Sequence, residues 1–365
     1  MTMALRAIVL SGLLPSLALA QDQPTTVAPP VPLVGAIRWD AWHGDQGEPG
    51  RAVQRALGPP EYRHRLPAFA TVRGADDVLI DGTSQDVMDK EIDDASRAGL
   101  AYWAFVTYDE NDAMSVALAR YLSSTRRDKI KFSLIVEAGR LRSTTYRARL
   151  VSLLAAPGYL QIGSSRPVLY LGFLNEEELV RQWGSVAAFG TAIDDLRAEL
   201  RRVGVGDPYL VIMDFTPEQG KKWAEAVGAQ ALSSYAAHGD ESVAPFRRLA
   251  QYAEDFWDAC RATGAEVVPI IMSGWDRRPR IARPVPWEQW QRPGVGMDKY
   301  YEAATPAELA AHTGRALSWM RQNPLAAPAQ LALIYAWNEH DEGGWLTPTL
   351  TDGSSRLDAL APVLK

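Results

Sequence analysis

The chain of 365 residues contains a single cysteine, Cys260, and only five histidines. One thiol cannot close an internal disulfide, and it excludes zinc ribbons and Cys-x-x-Cys redox chemistry. The histidines, His43, His64, His238, His312 and His340, nowhere fall in His-Glu-x-x-His spacing, so the usual zinc-hydrolase signature is missing. No Gly-x-Gly-x-x-Gly, no phosphate-binding Gly-x-x-x-x-Gly-Lys-Ser/Thr and no Gly-x-Ser-x-Gly elbow occurs. Nucleotide cofactors and serine-hydrolase chemistry therefore have no foothold, and nothing calls for any other cofactor or a metal. Positive charge is also short: 38 Lys and Arg stand against 44 Asp and Glu, for a net charge of −6. A phosphate backbone or an anionic membrane needs a clustered positive field, so neither is an expected partner. Oligomeric state leaves no mark in the sequence.

What is present in excess is amphipathic aromatic surface. There are 12 Trp and 13 Tyr against 8 Phe. Trp and Tyr add a polar handle to a flat face, and sugar rings present flat C–H faces to such rings. The alternative is a tryptophan-rich core.

Residues 1–20, MTMALRAIVLSGLLPSLALA, join one positive charge at Arg6 to a short apolar stretch and the small-x-small end Ala18-Leu19-Ala20. This reads as a secretory signal cleaved after Ala20, giving a periplasmic or secreted protein. The stretch falls short of the ~20 residues of a membrane span. Residues 21–33, QDQPTTVAPPVPL, read as a Pro-rich linker, leaving 34–365 as one catalytic domain.

Past the linker, apolar runs alternate with amphipathic ones. The strand candidates are 34–38, 78–81, 101–107, 131–136, 168–173, 209–215, 231–235, 267–272 and 332–337. Thr305-Pro306-Ala307-Glu308 is a capping box with Pro at the first helical position, and Thr216-Pro217 repeats the cap-then-Pro logic. Persistent strand–helix alternation implies parallel strands with crossover helices, and about eight such units fit a single (β/α)8 TIM barrel. A doubly wound open sheet is the alternative.

In such a barrel, chemistry gathers where strands end. The first candidate strand runs into Trp39, Asp40, Trp42 and His43, and the next long one into Tyr108 and Asp109. Others end at Glu137, at Asp214, at Tyr235, and at Trp275 with Asp276. The last gives Trp337, Asn338, Glu339, His340, Asp341, Glu342 and, past two glycines, Trp345. Six tryptophans (Trp39, Trp42, Trp103, Trp275, Trp337 and Trp345) lie in these strands or just beyond them. Carboxylates brought together raise one another's pKa, and a pair held apart in pKa supplies one acid and one base, as glycosidic bond cleavage requires. Glu339 and Glu342 are the candidates for that pair; the other named strand-end residues are candidate sugar contacts. A solvated acidic loop capping a helix, or a calcium site, are the other readings of this segment. Trp287 and Trp290, in the Pro-rich stretch 283–293, could line a loop over the cleft or clasp two loops together.

The motif Tyr335-Ala336-Trp337-Asn338-Glu339-His340-Asp341-Glu342-Gly343 resembles the Asn-Glu-x-x-Glu-Gly signature of glycoside hydrolase family 99 and of related barrel proteins of surface-polysaccharide biosynthesis. Trp39–His43 and the segment 88–105 fit the same pattern. The resemblance implies a retaining (β/α)8 hydrolase of a carbohydrate substrate. In it Glu339 takes the proton of the sugar 2-hydroxyl, whose oxygen displaces the leaving group to give a 1,2-anhydro sugar. Glu342 protonates the leaving oxygen and then activates water. This chain has His340-Asp341 where the family commonly carries Trp-His. A non-catalytic glycan-binding or polysaccharide-assembly barrel, and a metal-dependent hydrolase built on Asp40, His43 and Asp276, are the competing expectations.

Overall fold

The computed structural model describes residues 31–163 and 165–365. The expected signal peptide and nearly all of the expected linker fall outside them. Pro32–Lys365 packs as one unit. Its strands are β1 (Leu33–Arg38), β2 (Tyr102–Val106), β3 (Lys131–Glu137), β4 (Arg166–Gly172), β5 (Tyr209–Met213), β6 (Ala231–Ser233), β7 in two pieces (Glu266–Val267 and Ile270–Met272) and β8 (Leu331–Tyr335).

All these strands pair in parallel with their sequence neighbours, and β1 also pairs with β8, Leu33 opposite Leu331. The break in β7 falls at Pro269, which has no amide hydrogen to give. It does not open the ring, because Val268 N donates to Leu232 O at 2.9 Å and Pro269 O accepts from Leu333 N at 2.9 Å. The result is a closed (β/α)8 barrel. Helices cover its outer face, so the strands are buried on both sides and read as continuous apolar runs, Tyr102–Val106 and Leu331–Tyr335 among them. Inside the barrel, Tyr102 donates to Ala332 O at 2.9 Å and meets the Tyr170 hydroxyl at 2.8 Å. Gly35 makes room for that ring: a β-carbon there would lie 2.5 Å from it.

The candidate strand 78–81 is not a barrel strand. Val78–Leu79 pairs antiparallel with Thr71–Val72 in a hairpin inside the long excursion between β1 and the helix Gln85–Ala98. That excursion has its own small core, in which Trp42, Val53, Leu57, Tyr62, Leu66 and Ile80 are buried. The capping box forms, with Glu308 N on Thr305 Oγ1 at 3.2 Å and Thr305 N on Glu308 Oε2 at 3.0 Å. Thr216 makes no side-chain cap; Asp214 accepts the Thr216 amide instead, at 2.8 Å.

A buried polar cluster ties the barrel's seam together. Arg38, at the end of β1, donates to Asp40 Oδ1 from Nε at 3.0 Å and Nη2 at 2.8 Å, and to Glu91 Oε2 at 3.0 Å. Trp337 Nε1 donates to Glu91 Oε1 at 2.9 Å, and Asn338 Nδ2 to Asp40 at 3.0 Å. This fastens β1 to the helix 85–98 and to the chain leaving β8. Replacing Arg38 by Met would leave two buried carboxylates without their cation. It is expected to lower the unfolding free energy by about 3–5 kcal/mol, read as a drop in urea midpoint; a loss below ~1 kcal/mol would rule this clamp out.

Candidate active site

Beyond β8 the chain turns sharply at the C-terminal rim. Asn338–Glu339 pairs antiparallel with Gly344–Trp345, and a single 3-10 turn, His340–Glu342, joins them. Gly343 holds φ at +84°, and a β-carbon on Gly344 would stand 2.4 Å from the Tyr335 ring. The two glycines are therefore what allow the turn to lie flat on the barrel end. The segment just after β7 holds it down, since Asp276 N donates to Glu342 O at 2.6 Å. Glu339, Asp341 and Glu342 are consequently buried, at 3%, 1% and 7% exposure, and the segment is not a solvated loop.

The cation that makes this possible is Arg280, on the short helix Arg278–Ala282 in the excursion 273–305 between β7 and the helix Pro306–Gln322. Its Nε donates to Asp341 Oδ2 at 2.6 Å, Nη2 to Glu339 Oε2 at 3.1 Å and Nη1 to Glu288 Oε1 at 3.2 Å and to Glu342 Oε1. Arg277 Nε lies 3.2 Å from Glu342 Oε1 and also pairs with Glu288. Two tyrosines complete the set: Tyr235 donates to Glu339 Oε1 at 2.7 Å, and Tyr335 to Glu342 Oε2.

The two glutamates are not equivalent. Burial, and then the Glu342 charge, push the Glu339 carboxyl well above the ordinary carboxylate range. Burial also pushes Glu342 up, but Arg280, Arg277 and the Tyr335 hydroxyl outweigh it and hold this carboxyl below that range. The resting electrostatics thus run opposite to the roles the resemblance implies, in which Glu339 is the base.

Both glutamates face a cleft. One lobe, of about 590 Å³, is lined by Trp39, Tyr108, Glu137, Tyr235, Glu339 and Glu342 among others. A second, of about 920 Å³, shares Phe173, Phe215, Trp275, Glu288 and Glu342 with it and runs on past Trp290 and Tyr300. Such volumes suit small organic ligands or a few sugar rings. Among the described residues, the exposed Phe, Tyr and Trp side chains are Phe173, Phe215, Tyr252, Trp287 and Trp290. All five line these lobes or the dent that adjoins them. Trp287 packs on Trp39, ring centroids 5.4 Å apart, so it both walls the cleft and clasps two loops.

Of the residues expected at the site, Trp39, Tyr108, Glu137, Tyr235, Trp275, Glu339 and Glu342 line the cleft. The rest do not. Asp40 and Asn338 belong to the Arg38 cluster, with Asn338 Oδ1 accepting from Trp39 N at 2.9 Å. Trp337 is fully buried on Glu91, and Trp42 is wedged edge-on against His340. His43 Nε2 accepts from Gly50 N at 3.2 Å. Asp276 is paired with Arg65 and, at 2.7 Å, with Arg278. Trp345 lies under Arg356, 3.9 Å from its ring centroid. Asp214 accepts from Thr216 N at 2.8 Å and from Trp223 Nε1 at 3.1 Å, and Asp109 is exposed at the rim. The metal-hydrolase set Asp40, His43 and Asp276 therefore does not converge, and among the described residues no three His, Cys, Asp or Glu are placed to hold an ion. Sequence reasoning missed Arg277, Arg280, Glu288, Phe173 and Phe215. The basic run Arg277-Arg278-Pro279-Arg280 was the available signal, since it is the charge complement of Glu339–Glu342.

The fold that carries this acidic turn is a closed (β/α)8 barrel. Two solved structures of the GH99 endo-alpha-mannosidase from Bacteroides thetaiotaomicron share it. One matches at 13% identity and a TM-score of 0.53, covering 91% of this chain and 95% of that one. The other, in complex with bis-tris-propane, matches at 12% identity and 0.51, covering 91% and 94%. At such identity the likeness is one of fold. No protein-family profile matches the chain, and no curated protein matches it. Among the described residues no helix is long and apolar enough to cross a membrane.

The raised Glu339 sets a pH dependence. Its folded-state pKa lies above the unfolded value, so the stability it contributes is full below ~4.3 and is lost as pH climbs through the raised folded value. Glu339→Gln removes that loss. The melting temperature of the variant minus that of the native chain is expected to grow between about pH 5 and about pH 9; a difference that stays flat or shrinks would contradict the raised carboxyl.

Proposed function

We propose that this chain is a glycoside hydrolase acting on a polysaccharide or oligosaccharide, exported by its N-terminal segment. The observation that carries the reading is that Glu339 and Glu342, driven apart in protonation, both line the smaller aromatic-walled lobe, with Glu342 also on the wall it shares with the larger. Hydrolysis needs one proton delivered to the leaving oxygen as its bond to C1 breaks, and one proton accepted at the opposite step. A buried pair with one carboxyl protonated and its neighbour ionised meets both needs at one pH. The retaining route through a 1,2-anhydro sugar comes from the resemblance to family 99. The exposed rings of Trp287, Trp290, Phe173 and Phe215 offer stacking faces to successive sugars.

A second reading is a glycan-binding barrel without catalysis. It is favoured by one observation, that both glutamates are already closed by Arg280. Purified protein incubated with a panel of polysaccharides, with products resolved by size and anomeric form, separates the two. The hydrolase reading expects oligosaccharide products, and Glu339→Gln and Glu342→Gln are each expected to cut turnover by about 10²-fold or more while remaining folded. Retention of glycan with no product under any condition would favour the binding reading.

The aromatic wall is testable separately. Trp290 is 67% exposed, so Trp290→Ala should leave the melting temperature unchanged. The expected result is a KM roughly tenfold higher, equivalent to ~1.4 kcal/mol of lost contact, with kcat held; an unchanged KM would remove this ring from the binding surface.

A further inference from the structure

We propose that the dent adjoining the larger lobe, over the helices Pro217–Val227 and Phe246–Ala262, is a distal carbohydrate subsite. It holds units of the same glycan chain that is seated in the cleft, away from the glutamates. The inference rests on the cleft being a glycan site, whether or not it cleaves.

The dent has a volume of about 520 Å³, and no residue of the acidic turn lines it. It is continuous with the cleft. Phe215, between β5 and the helix 217–227, lines the dent and both lobes, and His238, in the segment after β6, lines the dent and the larger lobe. The ridge between the two hollows is thin because it is built on a glycine. Gly239 N donates at 3.0 Å to the hydroxyl of Tyr301, on the wall of the larger lobe. A β-carbon on Gly239 would stand 2.2 Å from the ring of Tyr252, on the wall of the dent. One backbone segment thus separates the hollows, and a chain leaving the lobe crosses it beside His238 and Phe215.

The groups along this crossing suit a sugar. His238 lies flat on Trp275, with ring centroids 4.0 Å apart and planes 16° apart. Its Nδ1 meets Gly239 O at 3.0 Å, and a carbonyl oxygen only accepts, so Nδ1 carries the proton. Burial lowers the His238 pKa and favours the neutral ring, which leaves Nε2 to accept from a hydroxyl. Beyond the ridge the dent presents Phe256, the exposed Tyr252 ring and the exposed Asp255 carboxylate, which accepts from Gln251 Nε2 at 2.8 Å. Flat rings with a hydroxyl and a carboxylate at their edge match the C–H face and hydroxyl rim of a sugar. Four of the five exposed aromatic side chains line the lobes, and the fifth, Tyr252, lines the dent. That distribution follows a linear ligand rather than a flat protein partner.

Affinity electrophoresis of the full chain, in native gels cast with α-mannan, dextran, xylan or galactan and run in the cold to slow any cleavage, identifies a retained polymer. Size-graded oligosaccharides cut from that polymer are then titrated against the chain. The native chain should bind long ones more tightly than short ones that fill the cleft alone. Tyr252→Ala and Asp255→Ala change exposed side chains, so both should fold, which an unchanged melting temperature checks. Each is expected to weaken binding of the long oligosaccharides by about three- to tenfold and to leave the short ones as they were. Trp290→Ala, in the larger lobe, should weaken both. An equal loss on short and long chains, or no loss on long chains in either variant, overturns the distal subsite and leaves the glycan reading of the cleft standing. A native chain that retains none of the polymers overturns the glycan reading, and the subsite with it. Sedimentation that shows a dimer dissolved by Tyr252→Ala assigns the dent to a second copy of the chain and also overturns the proposal.

Discussion

Arg280 is the contact on which the rim of this barrel depends. Three acidic residues within four positions could not be buried at the end of β8 without a cation among them, because each would repel the next and none would be solvated. A planar guanidinium with donors on three nitrogens can reach Asp341, Glu339 and Glu342 at once, which a lysine ammonium could not do with the same fixed geometry. The stacked surroundings support it: the guanidinium lies 5.2 Å from the Trp39 ring centroid and 5.7 Å from that of Trp287. The excursion 273–305 is thus more than a connection between β7 and β8. It supplies the charge that lets the acidic turn exist.

Around that contact the barrel end is divided between a working surface and a supporting frame. The frame consists of Arg38 with Asp40 and Glu91, Arg65 and Arg278 with Asp276, and Arg356 over Trp345. Each pairs an arginine with a carboxylate or an aromatic face behind the cleft, and each pins one strand end or loop to another. The working surface is what the frame leaves open, a groove floored by two glutamates and walled by rings.

Much of the barrel was legible in the sequence because its strands are buried on both faces and read as unbroken apolar runs with capped helices between them. The exception, 78–81, had strand composition but a partner only eight residues upstream, Thr71 opposite Leu79, which a hairpin satisfies locally. At the site, the paired glutamates were visible because a dense acidic run beside two glycines has few structural uses. The roles of Trp337, Trp345, Asn338 and Asp276 were not visible. A residue just past a strand end can turn into the cleft or back into the frame, and sequence position alone carries no sign of which. Arg280 was hidden for a different reason: its partners lie about sixty positions downstream, and only folding brings the basic run onto the acidic one.

The excursion also carries Trp287 and Trp290 on either side of Glu288, and Glu288 pairs with both Arg277 and Arg280. The segment that walls the cleft is therefore wired to the arginines that balance the acidic turn. Reshaping this segment would disturb the charge balance of the acidic turn in the same stroke, so the shape of the cleft wall and the protonation of the carboxyls beneath it are inherited as a single trait rather than two.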